Sequence, residues 1–192
     1  MKFTLAFLFL AISLVQAATE IVYMPPLGNI VVKDDTLGPE WKRIDGLVIP
    51  FFKDLNGLDE KTKEQALLLK DRFLAMGVNG VADFSFSKKD FPLDTATCRI
   101  FVFASPGYAE KWWKQKYEFA GWEEKYEKHT HPNGIYLDSK SETNPKRIML
   151  LSNLMISSHH IQKGDEHLTL LNAILNELGQ SGVNKSGDDN SE

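Results

Sequence analysis

Cys98-Arg99-Ile100-Phe101-Val102-Phe103-Ala104, followed at once by Ser105-Pro106, is the stretch on which the fold turns. After Arg99 it is apolar at consecutive positions, so an extended chain here would present apolar side chains to both of its sides. That pattern predicts a central strand covered on both faces. Ser105 suits an N-cap and Pro106 the first helical position, which predicts a helix from Pro106 through about Phe119. A twice-covered strand running into a helix implies a mixed α/β domain rather than a sandwich or a bundle.

Working outward, Asp59 to Met76 carries Thr62, Ala66, Leu69, Phe73 and Met76 at steps of four and three, with Leu67 and Leu74 widening the stripe. Gly77 stands where a helix stop belongs. Val81 to Phe86 places Ala82, Phe84 and Phe86 on one side and Asp83 and Ser85 on the other, the period of a strand with one wet face. His131-Pro132-Asn133-Gly134 is turn chemistry ahead of Ile135 to Leu137, and Arg147 to Leu151 is a further strand that can pair with it as a hairpin. Asp165 can cap a last helix whose apolar positions are Leu168, Leu171, Ile174, Leu175 and Leu178, ending at Gly179. The expected fold is α+β, a single mixed domain over residues 18–180 with helices laid on a sheet.

The amino terminus reads as an export signal. Lys2 is followed by an apolar run from Leu5 to Val15, and Val15-Gln16-Ala17 supplies the small residues that signal peptidase requires. The run is too short for a spanning helix, which needs about 20 residues. Residues 1–17 are therefore expected to be removed, the mature chain being secreted or periplasmic and not stably inserted in a membrane. The mature length supports one hydrophobic core. Cys98 is the only cysteine, so no disulfide can form within the chain. A formal net charge of -4 with acids and bases interspersed excludes the basic stripe of a nucleic-acid binder. Residues 181–192 are polar and read as a tail, with a glycosylation sequon at Asn184-Lys185-Ser186 should the host be eukaryotic.

The segment Leu170 to Gly182, with Asn176-Glu177-Leu178-Gly179-Gln180 at its centre, resembles the active-site helix of the zincin metalloproteases, whose pattern is His-Glu-x-x-His. Asn176 and Gln180 stand at the positions of the two zinc ligands and Glu177 at that of the general base. The segment also resembles an uncharacterised exported bacterial family with a Glu-x-x-Gln element. In the zincin comparison the preceding order of strand, helix, cleft strand and metal helix falls on Arg99 to Phe103, Pro106 to Phe119, Arg147 to Leu151 and Glu166 to Leu178. The resemblance implies a degenerate zincin-like scaffold, in a three-layer or sheet-plus-helices arrangement. Asn176, Glu177 and Gln180 would line a shallow cleft beside Arg147 to Leu151. Amides are poor zinc ligands, so no cofactor is expected.

All five histidines lie between His129 and His167. His129 and His131 can share one side of an extended segment, and His159-His160 read as part of a polar loop; the four are candidate metal ligands. Trp113 and Tyr117, like Trp122 and Tyr126, are four apart and read as core-facing pairs on a helix, while Trp112 should turn about 100° away from Trp113. Cys98 reads as a buried structural thiol. Two functions remain: an exported non-catalytic binding or interaction domain for an unknown peptide, protein or glycan, and a hydrolase in which Glu177 is the base and histidines such as His159, His160 or His167 complete the site.

Overall fold

Arg99 to Phe103 is the heart of β3 (Thr95–Phe103), and the strand is inner, as its doubly apolar pattern requires. It sits third in a seven-stranded sheet with β1 (Trp41–Ile49), β2 (Val78–Lys88), β4 (Tyr126–His131), β5 (Gly134–Ser139), β6 (Lys146–Leu151) and β7 (Leu154–Ile161). The spatial order is β1-β2-β3-β7-β6-β5-β4, antiparallel throughout. The sheet is thus two meanders, β1 to β3 and β4 to β7, joined where β3 meets β7. The computed structural model describes residues 27–119 and 121–179. Expectations for residues 1–17 and 181–192, for Gln180 and for the sequon at Asn184 lie outside the described residues.

Among the described residues three α-helices cover the two faces, and the domain is α+β. Helices α1 (Glu60–Ala75) and α2 (Pro106–Tyr117) lie on one face, packing Ala66, Phe73, Ala109, Trp113 and Tyr117 onto Val81, Phe101, Phe103, Ile148 and Met155. Helix α3 (Glu166–Glu177) lies on the other, along β3 and β7, packing Leu170, Leu171, Ile174 and Leu175 onto Cys98, Ile100, Met149 and Ile156. Alternate residues of β3 therefore feed two separate cores, which is why the stretch after Arg99 has no polar side. Residues 27–37 complete the α3 face, adding Leu27, Ile30, Val32 and Leu37.

The helix ends follow from local chemistry. Asp59 Oδ1 accepts the Thr62 N–H at 3.0 Å, capping α1, and Gly77 ends that helix at φ +75. A Cβ at Gly77 would also collide with the Tyr108 ring, at 2.4 Å from Cγ, so only glycine allows α2 to pass this close. Among the described residues no helix is long and apolar enough to cross a membrane.

Three expectations need correction. Leu67 is 55% exposed rather than part of the α1 stripe, because its neighbour Ala66 takes the inward position and Leu67 lies about 100° further round. His159 and His160 belong to β7, not to a loop. The run Ser157-Ser158-His159-His160 is polar on both sides and hides the strand, but β3 and β6 flank it and pair its backbone on both edges. Trp122 and Tyr126 do not share a helix: Trp122 opens a short 3-10 turn and Tyr126 begins β4.

Candidate functional site

On the face that carries α1 and α2, the strands change character at one level. Val81, Phe101, Met155 and Leu150 form one cross-strand row, all apolar and among the residues of the helix-packed core. One step along, the cross-strand row is Asp83–Arg99–Ser157–Ile148, polar on three strands and still apolar at the buried Ile148 on β6, and the next is Ser85–Thr97–His159–Lys146, polar throughout. That second row continues through Ser139, whose Oγ accepts the Lys146 N–H at 3.0 Å, to Tyr126 opposite it on β4. A polar row thus crosses six strands. Its serines, threonine and histidine are only half-buried.

The row is cationic at one end. Arg99 pairs with Asp83, Nε donating at 2.7 Å and Nη2 donating to the same oxygen. Lys146 and Lys116, the latter from the last turn of α2, each hold their ammonium 5.8 Å from the centre of the Tyr117 ring. Lys116 also lies 4.3 Å from the Trp112 ring, and that indole packs against Phe101 and Phe103. Among the described residues no acid lies in salt-bridge contact with Lys116 or Lys146.

The electrostatics follow from that crowding. Burial lowers the Lys146 pKa below the ordinary lysine value, and the charges of Lys116 and Arg99 push the same way. Lys116 is lowered by burial and by Arg99. His159 is lowered by burial, then by Lys146 and Arg99, so its imidazole favours the neutral form. Lys146 further lines a surface depression of about 560 Å³ with Lys125, Lys140, Tyr126 and Ser139. Lysines 125, 140 and 146 face one acid there, Glu124.

The opposite face holds charges of both signs, close-packed. His160 is 1% exposed. Its Nε2 lies 2.5 Å from Asp94 Oδ1 and its Nδ1 3.2 Å from Glu166 Oε2, while the Trp41 ring meets it edge-on at 5.6 Å. Arg147 is buried and donates Nε and Nη2 to the two oxygens of Asp138, both at 2.5 Å. The Tyr136 ring has the Arg147 guanidinium at 4.6 Å and the His129 ring stacked at 4.8 Å, and His129 Nε2 is 3.7 Å from Asp138. His167, buried in the first turn of α3, is driven down to about 4 by burial, helped by His160 and Arg147.

The four histidines proposed as ligands do not converge. His159 and His160 are consecutive on a strand and point to opposite faces. His131 turns into the hairpin, its Nδ1 accepting the Asn133 N–H at 3.1 Å. Among the described residues no group of three or more His, Cys, Asp or Glu is arranged to hold a metal. Asn176 and Glu177 are both exposed in the last turn of α3, whose buried neighbours are Leu175 and Leu178. His167 lies at the other end of that helix, about 15 Å from Glu177 at 1.5 Å per residue. Cys98 is buried, and burial pushes its thiol pKa up, away from nucleophilic use. A further depression, about 580 Å³, lies at the β2–β3 turn, lined by Phe91, Pro92, Leu93 and Gln162 with Asp90, Asp94 and Lys163. Two of its three charges are committed elsewhere, Asp94 to His160 and Lys163 to Glu142.

The fold and this site define an α+β domain with one sealed sheet face and one half-open, locally cationic face. No family model matches the chain, and no curated protein does. Among solved structures it is similar to the extracellular domain of PknH from Mycobacterium tuberculosis, at 8% sequence identity and a TM-score of 0.47, over 80% of this chain and 94% of that one.

Proposed function

We propose that the protein is an exported binding domain whose ligand carries an anionic group, seated on the polar row between α2 and β6. The observation that carries this reading is the gathering of Arg99, Lys116 and Lys146 from three separate elements with, among the described residues, one neutralising carboxylate, that of Asp83. Like charges held together raise the free energy of the folded chain, and a bound anion relieves that repulsion. Arg99 offers planar donors, the two lysines offer point charges, and Ser85, Thr97, Ser139 and Ser157 supply hydroxyls along the same surface. Export rests on the charge, length and cleavage pattern of residues 1–17.

The test is calorimetric titration of the mature chain with inorganic phosphate at low ionic strength. Saturable binding is expected, weakened at least about tenfold in a Lys116→Glu/Lys146→Glu variant, since two attractive contacts become repulsive. Lys114→Glu serves as control: that lysine is exposed on α2 and already pairs with Glu110 at 3.8 Å. Absence of saturable binding, or equal loss in the control, overturns the reading.

A further inference from the structure

We infer that Lys146 is a covalent capture residue, condensing with a small anionic aldehyde or ketone held on the cationic row. This deepens the reading above and rests on it, because the anionic group is what brings the carbonyl to the amine.

An amine attacks a carbonyl only when unprotonated, and lysines serve this chemistry where burial or a second cation disfavours the ammonium. Lys146 meets both conditions. It is half-buried, it shares the Tyr117 ring with Lys116, and among the described residues no carboxylate in contact restores its charge. The same surroundings lower its proton affinity. By contrast Lys114 and Lys163 are well exposed and sit within 4 Å of Glu110 and Glu142.

The neighbours supply the remaining parts. His159 is directly opposite Lys146 in the antiparallel register and on the same face, which puts the two Cβ atoms about 5 Å apart. Its imidazole, held toward the neutral form, can take a proton from the attacking amine and return it to oxygen. Arg99 and Lys116 are placed to hold a carboxylate or phosphate on the reacting molecule. The Ser139 hydroxyl, fixed by the Lys146 N–H, borders the same spot.

The condensation balances without another reactant. The Lys146 Nζ lone pair forms a bond to the carbonyl carbon while the C=O π pair moves to oxygen, which takes up a proton as nitrogen loses one. The carbinolamine then expels its hydroxyl with a second proton as water, leaving C=N. Nothing is oxidised or reduced, and one water leaves per imine formed.

Reductive trapping tests this on the mature chain. Glyoxylate is the anionic probe and propanal the uncharged one; sodium cyanoborohydride reduces any imine to a stable secondary amine, and peptide mass mapping locates it. With glyoxylate, Lys146 is expected to carry at least about ten times the adduct of Lys114 or Lys163, because the cationic row concentrates the reagent. That preference should fall several-fold in Lys116→Met, which removes a neighbouring charge, and in His159→Gln, and should persist in Lys114→Met. Uniform labelling with glyoxylate overturns the inference, and equal preference with propanal overturns the anionic substrate class. If phosphate titrates the parent chain while labelling is uniform, covalent capture fails and anion binding stands. If phosphate does not bind, the parent reading fails with it.

Discussion

Two pairs of consecutive residues show how differently the two sheet faces treat charge. Lys146 and Arg147 open β6, and His159 and His160 stand side by side on β7. Strand alternation sends Arg147 and His160 beneath α3 and sends Lys146 and His159 to the face that α1 and α2 leave half open. Under α3 both members, one from each pair, meet carboxylate oxygens: Arg147 meets Asp138, and His160 meets Asp94 and Glu166. On the other face Lys146 feels the charges of Lys116 and Arg99, and His159 those of Lys146 and Arg99, which outweigh the opposing pull of Asp83. Charges that stabilise a fold come paired, because a lone buried charge is costly, whereas a like-charged group at the surface is evidence for something the fold does not itself supply.

Removing charge should therefore have opposite consequences one residue apart. Arg147→Ala leaves the Asp138 carboxylate without its bidentate partner in a mostly buried setting, and breaking such a pair costs about 3–5 kcal/mol. Urea unfolding should show a midpoint fall of matching size at unchanged slope. A loss below about 1 kcal/mol would mean that the pair is solvated, and the contrast between the faces would collapse.

The sealed face should also respond to acid through His167. Its folded pKa is about 4, below the usual 6.5 of the unfolded chain. Between those values the unfolded state binds the extra proton, so stability is complete above about 6.5 and is lost as pH falls toward 4. The limiting loss is on the order of 3 kcal/mol. Carboxylates contribute to any acid profile, so the measurement is a difference: parent stability minus that of His167→Leu should rise with pH across this window. A flat difference would show that His167 is not held neutral by its surroundings.

How much of this could be read beforehand divides along the same line. β3, α1, α2 and α3 were legible because burial on one or two sides leaves a period of its own, as in Cys98 to Ala104 or in Leu171, Ile174, Leu175 and Leu178. β7 was hidden by its polar half, since Ser157 to His160 shows no alternation when one side meets an open surface and the other an ion pair. β1 and β4 lie at the sheet edges and carry Lys42, Arg43, Glu127 and Lys128, charges that make an edge read as a loop. The site was invisible for a different reason. Arg99, Lys116 and Lys146 are far apart along the chain, in a molecule of net negative charge, and only the β3–β7–β6 register with the end of α2 brings them together. The histidine cluster near residues 129–167 was conspicuous as a sequence feature, yet strand parity disperses it.

The smallest effect sharpens the comparison most. Lys146→Gln removes a charge from the residue next to Arg147, and a surface substitution of this kind ordinarily changes stability by no more than about 0.5 kcal/mol. Here the sign is the informative quantity. The ammonium is disfavoured first by burial and then by Lys116 and Arg99, so its removal should leave the domain as stable as before or slightly more so, and the part of the gain that comes from those two charges should shrink as added salt screens the repulsion. Thermal melts in dilute buffer and in about 1 M salt, where the screening length is near 3 Å, separate this from a packing effect, which salt would not screen. Lys146 is half-buried with its ammonium 5.8 Å from the centre of the Tyr117 ring, and losing that packing acts the other way. A Lys146→Met variant keeps most of the stem without the charge, so it should be the more stable of the two. If Met and Gln both destabilise by 1 kcal/mol or more at every salt concentration, Lys146 is a packing residue, and the cationic row loses its claim to be a site.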